Sequence, residues 1–343
     1  MKKIIAAVLF LFLLSCTEQI DFQIDDRSQY KPISEIQFKE IKLEGEIAHR
    51  ESEISGLAWY RDYLILLPQF PFKFGDGLSG SLFYIPKSKI IYHLQSKSQT
   101  PLKPARLKLF ADGLEQFNRW GSGYEGIIFN DNDVYIIFES YRNSNAFVVK
   151  GEIDFANNSV TLEAATLQEI EIPTKLPNLT AETITLFEDK ILVINEVNGI
   201  NLIENPKANL FSSELSSRSE ISLPNIEYRV TDATEIEKDS TFWVINYLWT
   251  GEINYIKPQN DALFDKYGIG KSHQNSQTVE RLVKLKISNN EIQFADQPPI
   301  YIQLNSNRGS RNWEGLVKLD EIGFLVATDM FPRTILGFIP YSE

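Results

Sequence analysis

The chain has 343 residues, with 46 acidic against 34 basic side chains and a formal net charge of −12. That balance argues against nucleic acid as a partner, because phosphates would be repelled, and it suits a protein that collects divalent cations. Hydrophobic residues at 43% and aromatics at 12% are enough for a large core, and all-β domains of this length fold as one unit.

The N-terminus opens with Lys2-Lys3, an apolar run from Ile4 to Leu14, and then Ser15-Cys16. Eleven apolar residues are too few to cross a bilayer and fit a secretory signal over residues 1–15. Cys16 is the single cysteine and sits where such a leader is cut. The stretch Leu13-Leu14-Ser15-Cys16 resembles the lipobox of bacterial lipoproteins, in which the cysteine becomes the lipidated first residue. That resemblance implies an exported protein held at the cell envelope by lipid, without a transmembrane helix. Thr17 in the next place, where Asp is absent, resembles the outer-membrane sorting pattern. Loss of residues 1–15 removes two lysines and no acid, leaving 32 basic against 46 acidic side chains, a formal −14. With Cys16 consumed, no disulfide is available.

Residues 16–34 are polar and read as a lipidated tether. Glu35 to Gly45 alternates apolar and polar residues like a strand, and opens a β-domain expected over 35–343. From there one unit recurs. It reads as a small or acidic residue, a small residue, an aliphatic, a polar turn and a strongly apolar strand. The copies start at Ser55, Glu125, Glu182, Asp232 and Glu314, at gaps of 70, 57, 50 and 82. Fourteen residues separate Ser55 from Gln69, Glu125 from Glu139 and Glu182 from Glu196, and Asp329 closes the last copy. Further apolar runs follow, making about four antiparallel strands per unit. Such a repeat predicts an all-β fold, a β-propeller of five blades, with a sixth in the 82-residue gap as the alternative. The last copy has only three obvious strands, so the strand near residues 35–45 is expected to close the ring and cover its edge. Helical periodicity is scarce. The longest insertion, Trp249 to Gln277, is expected to cover a binding face or to be idle.

First strands of a propeller line its axis, so Ser55, Glu125, Glu182, Asp232 and Glu314 are expected to converge there. Four carboxylates cannot crowd unpaired: their pKa values rise or a cation sits among them. Oxygen donors with little His or Cys nearby favour Ca²⁺ over zinc. The alternative is that these side chains bond backbone amides at strand starts. Glu139, Glu196 and Asp329 are candidate general bases. Arg119, Arg308 and Arg311, with Arg229, precede anchors and are candidate phosphate ligands, since a planar guanidinium matches phosphate oxygens.

Ser55-Gly56-Leu57, Tyr124-Glu125-Gly126-Ile127 and Asp232-Ala233-Thr234 resemble the blade starts of soluble calcium-activated nucleotidases, which are five-bladed apyrases. They also resemble the phytase-like, esterase-like propeller domain of bacterial secreted proteins. The resemblance implies Ser55, Glu125, Glu182 and Glu314 as ligands of an axial Ca²⁺, with Asp232 as a fifth, and hydrolysis of phosphoester or phosphoanhydride bonds beside it. One departure stands out: Leu67-Pro68-Gln69-Phe70 replaces the Asp-Arg pair of those families. The expected partner is a phosphorylated small molecule. The rival expectation is a non-catalytic propeller that binds a glycan, peptide or protein of the envelope, with calcium at most structural.

Overall fold

The computed structural model describes residues 26–342, apart from 78, 97–98, 119–121, 141–143, 260 and 306–308. The expected leader, Cys16 and most of the expected tether lie outside the described residues, as do Arg119 and Arg308.

Five four-stranded antiparallel units follow one another. Unit one is built from Ile54–Tyr60, Tyr63–Pro68, Gly80–Pro86 and Ala105–Phe110. Unit two comprises Ser122–Asn130, Asp133–Ser140, Asn145–Asp154 and Ser159–Leu162. The strands of unit three are Ala181–Phe187, Lys190–Asn195, Lys207–Ser212 and Arg218–Ser222. Unit four holds Arg229–Ala233, Thr241–Leu248, Val279–Ser288 and Glu291–Phe294. Unit five takes Trp313–Leu319, Gly323–Thr328 and Leu336–Pro340 from the C-terminus and Lys39–Ile41 from the other end of the chain. Leu336, Gly337 and Phe338 pair antiparallel with Ile41, Glu40 and Lys39, the closure that the short last repeat demanded. Among the described residues, the 82-residue gap holds strands of unit four and short helices, with no further four-stranded unit.

Local chemistry explains the repetition. Each first hairpin turns through a residue with left-handed backbone: Arg61, Asp131, Glu188, Ser240 and Asp320, all with φ between 47° and 65°. Positive φ matches the turn to the right-handed twist of the flanking strands. The second strands are apolar throughout because both of their faces are covered. Separate apolar clusters fill the seams between units one and two, two and three, three and four, four and five, and five and one. That cyclic set of seams makes the fold a closed propeller.

Small residues after the anchors let the inner strands approach one another. A Cβ on Gly126 would lie 2.3 Å from the Glu182 carbonyl oxygen, and one on Gly315 would lie 2.6 Å from Leu57 Cγ. Where the sequence carries threonine instead, its hydroxyl spans the seam. Thr183 Oγ1, after Glu182, donates to the Val230 carbonyl at 3.1 Å; Thr231, on the other side of its anchor Asp232, makes a similar bond to the Trp313 carbonyl at 2.7 Å.

Two features depart from the expected organisation. Packed chain begins before residue 35: Arg27 is buried and donates to the carbonyls of Ser276 (2.8 Å) and Thr278 (3.1 Å) and to the Tyr228 hydroxyl (3.3 Å). Pro32–Ile33 also pairs in parallel with Ile269–Gly270 of the long insertion. A ten-residue helix, Lys87–Ser96, stands between the third and fourth strands of unit one.

Candidate functional site

Every anchor sits at an irregularity of the ladder between first and second strands. The register shifts between Ile54 and Gly56, Tyr124 and Gly126, Ala181 and Thr183, Val230 and Ala233, and Trp313 and Gly315. A bulge leaves its extra residue unpaired and re-aims the side chain. Here the same device is repeated five times at the same end of the ring, and the second strands end there too, at Gln69, Glu139, Glu196 and Asp329.

The side chains brought together form an acid mouth around one arginine. Arg229 donates through Nε to Glu196 Oε1, through Nη1 to Glu252 Oε1 (3.3 Å) and through Nη2 to Glu182 Oε1 (3.1 Å). Its Nη2 also lies 3.7 Å from Glu314 Oε1, and its guanidinium covers the Tyr247 ring at 4.8 Å. Beside this cluster, Gln69 Nε2 donates to both oxygens of Glu125, at 3.1 and 3.4 Å. Glu139, Asp329 and Glu53 complete the set, and Lys73 Nζ reaches Glu53 at 3.2 Å. Glu125, Glu139, Glu182, Glu196 and Glu314 are each at most 4% exposed. Eight carboxylates therefore share one buried guanidinium and one half-exposed ammonium.

Burial dominates the protonation of these groups. It pushes Glu125, Glu196 and Glu314 well above the ordinary carboxylate range, with neighbouring carboxylates adding to the shift. Glu182 is pushed up to about 8 by burial, despite the pull of Arg229. Asp329 rises to about 6, through burial and then the charge of Glu53. Glu139 is raised less far, since Thr180 and Arg229 offset its burial. Arg229 stays charged: burial works against it, but Glu196, Tyr247, Glu252 and Glu182 more than compensate.

The other expected ligands have different occupations. Asp232 accepts from the amides of Ala233 (2.8 Å) and Leu316 (2.6 Å), and the Leu57 amide also stabilises its charge, so it ties units four, five and one together through backbone. Ser55 Oγ donates to the Glu53 carbonyl at 3.4 Å. Arg311 is buried and paired with Glu280, donating through Nε at 2.7 Å, and its Nη2 donates to the Gln303 carbonyl at 2.7 Å. The reading of the sequence missed Arg229 as the centre, and Glu53, Gln69 and Glu252 as its surroundings.

Several oxygens of the mouth have no partner: Glu139 Oε1, Glu182 Oε2, Glu196 Oε2, Glu252 Oε2 and Asp329 Oδ1. Such buried acceptors are met by a proton, a cation, an ordered water or a donor from a ligand. The donors suit Ca²⁺ in kind, being all oxygen and rich in charge. Among the described residues, however, no three His, Asp or Glu side chains converge as a ready-made metal cage. Further along the axis the same strands carry mostly apolar side chains, and Leu57, Ile128, Leu186 and Val317, with Glu235 and Lys318, line a cavity of about 50 Å³.

No protein-family model matches the chain, and no curated protein matches it in sequence. Solved structures overlap it in shape. One is the soluble aldose sugar dehydrogenase of Escherichia coli in its apo-form (TM-score 0.45, 9% identity, covering 89% of this chain and 99% of that one). Another is a GH43 β-xylosidase/α-arabinofuranosidase from a compost microbial metagenome (TM-score 0.47, 9% identity, 88% and 94%). A third is a GH32 β-fructofuranosidase of Bombyx mori in complex with sucrose (TM-score 0.45, 10% identity, 92% of this chain and 62% of that one). At this degree of overlap the likeness bears on neither substrate nor reaction, and the propeller stands on its own strand pairing and cyclic seams.

Proposed function

We propose that this chain is a hydrolase of the cell envelope, anchored by lipid on Cys16 and exported by residues 1–15, with its reaction centre at the acid mouth. The observation that carries the reading is the pair Asp329 and Glu182, raised to about 6 and about 8 in one cluster. At neutral pH the first is charged and can take a proton, while the second is neutral and can give one. The substrate class is a phosphoester or phosphoanhydride. Asp329 accepts a proton from water as its oxygen bonds to phosphorus. The bond from phosphorus to the leaving oxygen breaks, and Glu182 protonates that oxygen. Arg229 and Gln69 hold the remaining carboxylates in place.

Ca²⁺ belongs to this proposal. Glu125 and Glu139, which make no direct bond to Arg229, would draw together on it, and the ion would neutralise phosphate charge and act as a Lewis acid. Phosphate release from nucleotides and phytate, followed across pH, tests the reading. The expected profile is a bell between about pH 6 and 8, with Asp329→Asn abolishing turnover. Absence of phosphate release in every condition would sink it.

The second reading, a non-catalytic ligand-binding propeller, draws on the commitments of Asp232 to backbone amides and of Arg311 to Glu280. It expects Ca²⁺ to raise the melting temperature with no turnover. Under either reading, Ca²⁺ at a hundredfold excess over its Kd adds roughly 2.7 kcal/mol of stability.

A further inference from the structure

The N-terminal segment joins the ring at the same end as the acid mouth. Second strands finish there and third strands begin there, so the loops that join them lie at that end. Arg27 is held by the carbonyls of Ser276 and Thr278, which lead into the third strand of unit four. Gln274 Nε2 donates to the Tyr30 carbonyl at 2.8 Å, and Pro32–Ile33 pairs with Ile269–Gly270 in the same insertion. Ten residues separate Cys16 from Asp26, and such a stretch spans at most about 35 Å. Strands of seven or eight residues stand about 25 Å tall. Bringing the opposite end of the ring to a surface anchored at Cys16 would therefore consume most of that reach.

Exposed apolar side chains gather at this end too. Of the six large ones among the described residues, Ile200, Trp249, Tyr255 and Phe331 lie on loops between second and third strands, in the adjacent units three, four and five. The other two, Tyr92 and Ile322, lie at the opposite end, on the Lys87–Ser96 helix and the first hairpin of unit five. Trp249 is 52% and Tyr255 59% exposed. Tryptophan and tyrosine, apolar bodies with one polar tip, favour the boundary between lipid and water. The insertion that bears both, residues 249–277, carries three acids and three lysines, whereas the whole chain has a net charge of −12. Two of those acids turn inward, Glu252 to Arg229 and Asp261 to Arg281. This part of an acidic protein therefore lacks the negative charge that would keep it off a phospholipid surface.

We propose that the mouth end of the propeller rests on the bilayer that holds the lipid of Cys16, with Trp249, Tyr255, Ile200 and Phe331 in its interfacial layer. The choice of a bilayer as occupant rests on the lipid-anchor reading above, and hydrolysis is not required. The acid cluster then lies on the membrane side of the ring, and the helix Lys87–Ser96 on the side away from it.

The first arm of the test uses residues 16–343 with Cys16→Ser, a chain that no lipid can anchor, sedimented with phosphatidylcholine vesicles. It is expected to bind them, and Trp249→Ser with Tyr255→Ser to weaken binding at least about tenfold, since affinity for an interface scales with the apolar area it buries. Tyr92→Ser, at the opposite end, should change nothing. All three side chains are more than half exposed, so these variants keep the fold, which an unchanged melting temperature verifies. Absence of vesicle binding, or equal binding with and without the two rings, overturns the docking surface. A dimer that forms without vesicles and dissolves on the double substitution would assign the face to a second copy and overturn it as well. The second arm places the lipidated chain in vesicles of brominated phosphatidylcholine, which quenches tryptophan emission at short range. Quenching that Trp249→Phe abolishes supports the orientation; quenching that persists in that variant, or none, overturns it. If the mass of the N-terminal peptide shows no lipid on Cys16, the anchor reading falls, while the first arm still decides the docking surface.

Discussion

Arg229 is the residue on which the mouth depends. Three of its nitrogens are spent on Glu196, Glu252 and Glu182, with Glu314 close by. Removing one partner of a buried ion pair leaves an uncompensated charge and costs about 3–5 kcal/mol. Arg229→Met should therefore lose up to about that much in chemical denaturation, most at alkaline pH where the surrounding acids are ionised, and adding Glu196→Gln should restore part of it there, because a neutral amide no longer needs the guanidinium. A single variant as stable as the parent would mean that the surrounding acids are already protonated. The role of Arg229 was hard to read because it sits three residues before its anchor, where the other copies carry Ser52, Ser122, Leu179 and Arg311. No repeat marks the place, and Arg311 turns instead to Glu280. The acids Glu125, Glu139, Glu182 and Glu196 were legible, since a bulge and a second-strand end recur fourteen residues apart. Whether an anchor faces the axis or bends back to amides, as Asp232 does, is a matter of side-chain rotation that a repeat does not encode.

Strands and turns were the most readable level, because alternation, polar turns and apolar runs are local properties. The helix Lys87–Ser96 escaped notice: it runs under three turns and buries only Ile90 and His93, too few for a periodic signal. The docking of Arg27 escaped as well, since its partners lie some 250 residues away in the chain. Two predictions belong at this scale. Gly126→Ala should destabilise by about 1–3 kcal/mol, the usual cost of overpacking, because its Cβ would meet a backbone oxygen of the neighbouring unit rather than a movable side chain. Gly77→Ala is the control for positive φ alone, as nothing stands within 4 Å of that position. The second prediction concerns closure. Deletion through residue 25 should leave the melt unchanged, deletion through residue 36 should lower it by removing Arg27 and its strand pairing, and deletion through residue 41 should abolish the cooperative transition. A cooperative melt that survives the last deletion would show that unit five is complete with three strands.

For the whole molecule, the acid mouth sets how stability varies with pH, and the sign is the reverse of that for ordinary surface carboxylates. Glu182 has its folded pKa raised from 4.5 to about 8, and Glu125, Glu196, Glu314 and Asp329 move in the same direction. Between those values the folded chain holds protons that the unfolded chain has released. The stabilisation is complete below the unfolded pKa and is lost as pH rises through the folded one. On the acid side a different pair acts. Glu35 accepts from or shares a proton with His273 Nδ1 at 2.7 Å, and His273 Nε2 accepts from the Glu280 amide at 3.2 Å, so the imidazole is neutral in the fold. Burial lowers the His273 pKa, while hydrogen bonds from His273 and Ser272 outweigh burial and lower that of Glu35. Both contributions are lost as pH falls. Stability should therefore peak in the acid range, close to the unfolded carboxylate values at about pH 4 to 5, and decline steadily towards pH 9. Ca²⁺ should oppose that decline, because an ion held by Glu125 and Glu139 favours their charged forms and replaces the protons. Thermal unfolding from about pH 4 to 9, with chelator and with Ca²⁺, measures both effects. A flat curve in chelator would show that the mouth carries its charge without protons. A decline that Ca²⁺ leaves untouched would assign the neutralisation of the mouth to protons and Arg229 alone.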